Sequence, residues 1–132
     1  MINAGAIATS SLVAGDDAAA RLARVLGAIS AYAGRPLDID PAVYASERAT
    51  GHRNRAIGHL LRNYDIVSDD PDDALDLYFR QCSVRIDCRD LALIGATLAN
   101  AGTHPITGAQ AVRSDLVGPI LSVMATCGVY DF

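Results

Sequence analysis

Hydrophobic residues recur at helical spacing along almost the whole chain, with polar residues between them. The pattern predicts one amphipathic helix between Asp17 and Gly34, with an apolar face made of Leu22, Val25, Leu26, Ile29 and Tyr32. Further stripes of the same period follow at residues 57–64, 75–82, 91–98 and 116–124. Alternating apolar and polar runs do not exceed about four residues, too short to predict a strand. The sequence therefore predicts an all-α unit of about five to seven helices.

Capping residues mark where these helices begin and end. The expected N-caps are Asp40, Asp70, Asp87 and Ser114. Proline follows the first two directly, as is typical of the first helical position. The expected stops are Gly34, Thr50-Gly51, Gly102 and Gly128. Pro119 lies early in the last helix and predicts a kink or a later start there.

The first segment, Ile2–Val13, is small, apolar and rich in hydroxyl groups, and it predicts a buried helix. A later stripe is expected to bury Leu75, Tyr78, Phe79 and Cys82. Short loops and the absence of a low-complexity linker predict a single helical domain over residues 1–132. Residues typical of packed interiors stand at both ends, so we expect the chain to be a piece of a larger protein.

Composition narrows the chemistry. The 132 residues carry a net charge of −4, which argues against a nucleic-acid partner. All 11 basic residues are arginine, so a reaction that needs a lysine cannot be completed within this chain. Glu47 is the single glutamate beside 14 aspartates. The sequence has neither a membrane-length apolar run nor a basic start typical of a secretory signal, which predicts a cytoplasmic protein without a membrane partner.

Cysteine and histidine spacing does not indicate a metal centre. Cys82, Cys88 and Cys127 lack zinc-binding spacing, and we expect three buried, reduced thiols. His52 and His59 lie near Glu47, but a hydrolytic metal site needs three converging ligands. We therefore expect neither a metal nor another cofactor, and we assign no role to these histidines or to His104.

Five groups of residues, in order and spread over the chain, carry a resemblance to one family. They are Ile2–Ala6; Ser46-Glu47 with Thr50–Arg55; Tyr78–Ser83 with Cys88–Ala92; Gly95–Asn100; and Cys127–Asp131. The set resembles the serine-dependent glutaminases, whose fold is β-lactamase-like. The resemblance implies a helical domain of such an enzyme. The implied reaction is hydrolysis of the side-chain amide of L-glutamine to L-glutamate and ammonia.

The resemblance also implies roles for particular residues. Asn3, Glu47, Asn54, Tyr78 and Tyr130 occupy the family's substrate-binding positions, and Tyr130 additionally resembles a proton carrier near the nucleophile. The family's self-association implies a homo-oligomer. His52 stands where the family usually has an acid, a change that we expect to be tolerated because the position is not a substrate contact.

The nucleophile is missing from the pattern. In the family it is the serine of a Ser-x-x-Lys motif, and this chain has no lysine. A later strand of the family is missing as well. The resemblance thus implies that the parent protein is the enzyme, that this chain carries recognition residues, and that the chain alone is inactive.

Each site residue also has an ordinary structural interpretation. Glu47 could be a surface glutamate, Asn3 and Asn54 could cap helices or form turns, and Tyr78 and Tyr130 could fill the core. The alternative function is a non-catalytic helical interaction or regulatory module whose exposed apolar segments dock on a partner.

Overall fold

A computed structural model of the chain describes residues 3–68 and 70–127. In this part the chain forms seven α-helices, while Ile39–Val84 and Thr103–Gln110 make isolated antiparallel bridges rather than strands. The helices are α1 (Ala4–Ser11), α2 (Ala18–Ala33), α3 (Pro41–Thr50), α4 (His52–Asn63), α5 (Pro71–Cys82), α6 (Cys88–Ala99) and α7 (Ser114–Thr126). The all-α prediction is confirmed over the described residues.

Three of the predicted N-caps are present and explain where their helices begin. The Asp40 carboxylate accepts hydrogen bonds from the backbone N–H groups of residues 42 and 43, at 2.8 and 3.1 Å. Asp70 accepts one from the N–H of residue 72 at 3.0 Å. Asp87 and Asp90 form a capping box, in which each side chain accepts from the other's backbone N–H. These bonds satisfy donors that the first turn of a helix leaves open.

The last helix starts differently from the prediction. Ser114 is the first residue inside α7, and the N-cap position belongs to Arg113, which makes no side-chain capping bond. The Arg113 guanidinium instead pairs with Asp115 at 2.5 Å. The prediction of Ser114 as N-cap is therefore wrong. Helix α7 continues through Pro119 without a later start, and the expected stop at Gly128 lies outside the described residues.

The helices fall into two compact units. The first takes its residues from Met1–Leu26 and Asp38–Arg85, and the second from Gly27–Leu37 and Ile86–Phe132. In the first unit α1, α4 and α5 contact one another, and α3 contacts α5. Their shared core consists of Ile7, Ile57, Leu61, Val67, Leu75, Tyr78 and Phe79. A single helical domain over residues 1–132 remains a prediction.

The first helix is one-sided rather than wholly buried. Ile7 is 0% exposed and Ser10 is 2% exposed, whereas Gly5, Ala6 and Thr9 face solvent. Helix α1 therefore confirms the predicted helix but buries only one of its faces.

Polar contacts join distant parts of the second unit. Arg35 Nε donates to Asp90 Oδ1 at 2.7 Å, and the Thr97 hydroxyl donates to the Tyr32 carbonyl at 3.1 Å. The buried ring of His104 shapes a turn, because its Nδ1 accepts backbone N–H bonds from Ile106 and residue 107, at 3.2 and 3.1 Å.

The prediction of three buried thiols is wrong. Cys82, Cys88 and Cys127 are free, and all three residues are exposed. Their places in the helices give the reason. Cys82 ends α5, Cys88 begins α6 and Cys127 is the C-cap of α7. At a helix end the periodic face that packs against a neighbour has run out, so a small apolar residue there need not be covered.

Candidate functional site

Two of the predicted substrate-binding residues are in direct contact in the first unit. Asn3 Nδ2 donates a hydrogen bond to Asn54 Oδ1 at 2.8 Å, across 51 positions of the chain. Asn3 occupies the N-cap position of α1, yet its side chain makes no capping bond. Asn54 is the third residue of α4, which begins after Gly51. The capping interpretation of Asn3 therefore fails, because its amide is used to reach α4 instead.

This contact sets the polarity that the pair offers to a ligand. Each half-buried amide has a carbonyl oxygen, which accepts hydrogen bonds, and an NH2 group with two donor hydrogens. Since one hydrogen of Asn3 Nδ2 bonds Asn54 Oδ1, Asn3 Oδ1 is left wholly as an acceptor and Asn54 Nδ2 wholly as a donor, and Asn3 Nδ2 keeps its second hydrogen. No described residue hydrogen-bonds either of these two atoms.

The negative charge of Glu47 acts on the hydroxyl group of Tyr78. Glu47 is half-buried on α3, and Tyr78 on α5 is 8% exposed. The pKa of the Tyr78 hydroxyl is raised well above its ordinary value by burial, then by its interaction with Cys82, and further by the negative charge of Glu47. Tyr78 is thus a neutral hydroxyl group throughout the physiological pH range, able to donate a hydrogen bond.

Cys82 belongs to the same neighbourhood, as its place on the same helical stripe as Tyr78 predicted, although no role at the site was assigned to it. It lies one helical turn after Tyr78 on α5. The residue as a whole is exposed, but desolvation raises the pKa of its thiol. The interaction with Tyr78 lowers that pKa and the negative charge of Glu47 raises it, so the pKa stays above its ordinary value. The thiol is therefore a weak partner of Tyr78 and not an activated nucleophile.

One glycine positions both Glu47 and Asn54. Gly51 is buried between the end of α3 and the start of α4, with Glu47 one turn before it and Asn54 one turn after it. A methyl group at Gly51 would come within 2.5 Å of Phe79 Cζ and 2.7 Å of the Glu47 carbonyl oxygen. The φ of Gly51 is −72°, so glycine is needed there for space and not for backbone freedom.

A polar cluster fastens α3 to α5. The Tyr44 hydroxyl and Arg80 Nε both donate to the Asp76 carboxylate, the latter at 2.7 Å. The Arg80 guanidinium also lies 4.6 Å from the centroid of the Tyr44 ring. Burial acts to raise the pKa of Asp76, but hydrogen bonds from Tyr44 and Arg80 outweigh it and lower the pKa. The cluster holds α5, and with it Tyr78, against the helix that carries Glu47.

Sequence reasoning missed this cluster, although part of it left a signal. Asp76 and Arg80 stand four residues apart, the spacing of an ion pair along one helix. Tyr44 lies 32 positions from Asp76, and no local pattern predicts that contact.

The remaining candidates add no second site. Tyr130 lies outside the described residues. His52 and His59 are exposed on α4. Among residues 3–68 and 70–127, no group of three histidine, cysteine, aspartate or glutamate side chains could hold a metal ion. No helix in that part of the chain is long and apolar enough to cross a membrane.

The first unit therefore contains a carboxylate, an amide pair and a neutral hydroxyl on α1, α3, α4 and α5. A carboxylate binds an ammonium group, an amide nitrogen binds a carboxylate, and a hydroxyl binds either. The structure brings Asn3 into contact with Asn54 and sets the charge of Glu47 near Tyr78, and groups of these kinds are the ones that bind a free amino acid.

Comparisons with known proteins identify similar chains. A family model described as glutaminase matches residues 1–132. The glutaminase of Nostoc sp. (strain PCC 7120 / SAG 25.82 / UTEX 2576) is 54% identical over 132 residues, which make up 100% of this chain and 40% of that protein. The chain thus spans about two fifths of the length of this curated relative.

Two crystal structures extend the similarity to three dimensions. Mglu in its glutamate form gives a TM-score of 0.93 at 39% identity, covering 99% of this chain and 30% of that one. The Bacillus subtilis glutaminase gives a TM-score of 0.91 at 33% identity, covering 98% of this chain and 45% of that one. The latter is a covalent complex with 5-oxo-L-norleucine, formed by reaction with 6-diazo-5-oxo-L-norleucine.

Proposed function

Because the chain belongs to the glutaminase family, we propose that the protein of which it is a part hydrolyses L-glutamine to L-glutamate and ammonia. Its described residues form the helical domain of the β-lactamase-like fold of these enzymes. Within that protein the chain supplies substrate-recognition residues.

The hydrogen bond between Asn3 and Asn54 carries this proposal. The Asn3 side chain leaves the N-terminus of α1 uncapped and instead bonds Asn54, 51 positions away, in a half-buried place. An amide pair of this kind costs desolvation, and one hydrogen bond offsets that cost only in part. A ligand that uses the remaining acceptor and donor completes the hydrogen bonding.

Each recognition residue is assigned to one part of glutamine. The Glu47 carboxylate pairs with the α-ammonium group, and Asn54 Nδ2 donates to the α-carboxylate. The Tyr78 hydroxyl, kept neutral by its raised pKa, donates to the same carboxylate. Asn3 Oδ1 accepts from the side-chain amide of the substrate. Tyr130 carries a proton near the reacting amide, a role supported by the family resemblance alone.

The reacting serine and its lysine lie in the rest of the parent protein. This chain has no lysine, and its relatives are more than twice as long. Attack by the serine on the amide carbon would give an acyl-enzyme and release ammonia, and water would then release glutamate. We expect the isolated chain to release no ammonia.

The setting of the enzyme is also part of the proposal. We infer that the 132 residues act as one helical domain within a homo-oligomer in the cytoplasm, without a metal or other cofactor. The family resemblance supports the oligomer, and the three free thiols are compatible with a reducing compartment.

Active-site labelling tests the function. The full-length protein and the isolated 132-residue chain are incubated with 6-diazo-5-oxo-L-norleucine and weighed by mass spectrometry, and ammonia release from glutamine is assayed in parallel. We expect one covalent 5-oxo-norleucyl group on the full-length protein, loss of its ammonia release, and neither labelling nor activity in the isolated chain. A full-length protein that neither turns over glutamine nor accepts the label contradicts the proposal.

A further inference from the structure

One arginine ties the ends of α3 and α4 together beside the candidate site. Arg55, in the first turns of α4, donates from Nη2 to the carbonyl oxygen of Arg48 at 2.5 Å. Arg48 lies in the last turn of α3, where carbonyl groups lack a partner within the helix. We call the junction at Gly51, where α3 ends and α4 begins, the corner. The hydrogen bond crosses this corner and satisfies an acceptor that has no partner within α3.

The same guanidinium group also packs on the aromatic ring under the corner. The Arg55 Cζ atom lies 5.4 Å from the centroid of the Phe79 ring, within cation–π range. Phe79 is 2% exposed, and the backbone of Gly51 meets its Cζ atom too closely to admit a side chain. Arg55 and Gly51 thus both lie against one buried ring.

The two contacts constrain the candidate site because of their neighbours in sequence. Arg48 follows Glu47 directly, and Arg55 follows Asn54 directly. Fixing the Arg48 carbonyl relative to the Arg55 side chain therefore restricts the separation between the backbone of α3 at Glu47 and the backbone of α4 at Asn54, from which the two side chains extend. In the proposed function these two groups hold the ammonium and carboxylate groups of one amino acid.

We propose that Arg55 is a positioning residue for substrate binding: by joining α3 to α4 over Phe79, it fixes the spacing of Glu47 and Asn54. This inference rests on the proposed function. It requires both properties of arginine, a planar group that stacks on the ring and a directed donor at its edge. A lysine keeps the charge and the aliphatic stem but cannot reproduce this combination.

An open cavity beside the corner would allow α3 and α4 to move relative to each other if the Arg55 side chain were removed. A cavity of about 170 Å³ is lined by Arg48, Arg55, Leu75 and Phe79, together with Asp72 and Asp76. Without the Arg55 side chain this cavity reaches further over Phe79, and nothing among the described residues replaces the donor to the Arg48 carbonyl. The corner can then relax while the core below it stays packed.

The test compares Arg55→Ala and Arg55→Lys with Arg62→Ala in the full-length protein. Arg62 is on the same helix and forms an exposed ion pair with Asp65, whose charged groups are 3.4 Å apart. We expect Arg55→Ala to raise KM for glutamine by about 10-fold with kcat within about 2-fold, Arg55→Lys to raise KM by about 3-fold, and Arg62→Ala to change neither. If Arg55→Ala fails to fold, the KM of Arg55→Lys for glutamine tests the same positioning role.

Amide hydrogen exchange supplies a readout independent of turnover. Arg55→Ala should speed exchange of the amides around Gly51 while leaving those of α6 unchanged. An unchanged KM in the folded variants, or a loss confined to kcat, overturns the positioning role even if the wild-type protein is an active glutaminase. A wild-type protein without glutaminase activity overturns the proposed function instead, and exchange then reports on the corner alone.

Discussion

The two units of the chain use apolar residues in different ways. In the first unit α5 buries Leu75, Tyr78 and Phe79, because α1, α3 and α4 contact it. In the second unit α7 has the same helical period, yet Val117 is its one residue classed as buried. Its exposed apolar side chains are Leu116, Leu121, Val123 and Met124.

The candidate site follows the same division. Every described candidate, from Asn3 to Tyr78, lies in the first unit, where a packed core holds the helix ends that carry them. The second unit buries fewer large apolar side chains, among them Leu37, Leu98 and Val117, and has polar contacts such as the Asp87–Asp90 capping box. An apolar stripe therefore predicts a helix wherever it occurs. It predicts a core only where other helices of the same unit cover it.

Truncating equivalent leucines should expose this difference most strongly. Leu75→Ala removes a side chain that is 1% exposed, and we expect it to lower the free energy of unfolding by about 2–5 kcal/mol. Leu121→Ala removes one that is 43% exposed, and we expect a change within about 0.5 kcal/mol. Urea denaturation of the 132-residue chain measures both, and equal losses would contradict the contrast between the units.

Replacing two different glycines by alanine should change the stability of the chain in opposite directions. At Gly51 the added methyl group meets Phe79 and the Glu47 backbone, so Gly51→Ala should destabilise the chain by about 1–3 kcal/mol. At Gly95 on α6 nothing lies within 4 Å of the added carbon, so Gly95→Ala should stabilise it by about 0.5–1 kcal/mol. Thermal melting decides, and a tolerated Gly51→Ala would show that the corner is loosely packed.

Acid should weaken the second unit through Asp90. Hydrogen bonding from Arg35 first, and then from the backbone at Asp87, lowers the pKa of Asp90 in the folded chain. The folded state then binds fewer protons than the unfolded state, so this stabilisation is present above the ordinary aspartate pKa of about 3.9. It is lost as the pH falls through the lower folded value.

Melting curves between pH 6 and pH 3 test this effect in wild type and Asp90→Asn. The variant should have a lower melting temperature at pH 6, and its melting temperature should fall less on acidification. Some pH dependence will remain because the pKa values of Asp76 and Asp115 are lowered as well. Asp38→Asn is the control, because its pair with Arg85 is exposed on both sides. Parallel curves for wild type and Asp90→Asn would exclude Asp90 as a source of acid sensitivity.

Local signals were sufficient to predict most of the helices. Aspartate followed by proline marks the starts of α3 and α5, and Gly34 takes a φ of +73° just after α2. The prediction of Ser114 as N-cap was wrong because the helix begins one residue earlier, with the extended residue Arg113 at the N-cap position and no side-chain capping bond. The helical spacing of apolar residues and the capping residues are short-range features, so they can be predicted from the sequence alone.

Contacts between distant helices could not be predicted in the same way. The interaction of Tyr44 with Asp76 and the exposure of Cys82 depend on which helix faces meet, and a single sequence does not encode that in any short pattern. The family resemblance did select Asn3 and Asn54, which the structure places in hydrogen-bond contact, and their role in substrate binding stays a prediction.

Recognition of the substrate ammonium by Glu47 is tested most directly by the steady-state ammonia release of the full-length protein. Glu47→Gln keeps the size and removes the charge, so kcat/KM for glutamine should fall by roughly 30- to 1000-fold, corresponding to about 2–4 kcal/mol. Glu47→Asp should lose less, and Asp65→Asn, at a side chain 92% exposed, should match wild type. If Glu47→Gln and Glu47→Asp both retain near wild-type kcat/KM and melt normally, Glu47 does not bind the ammonium group.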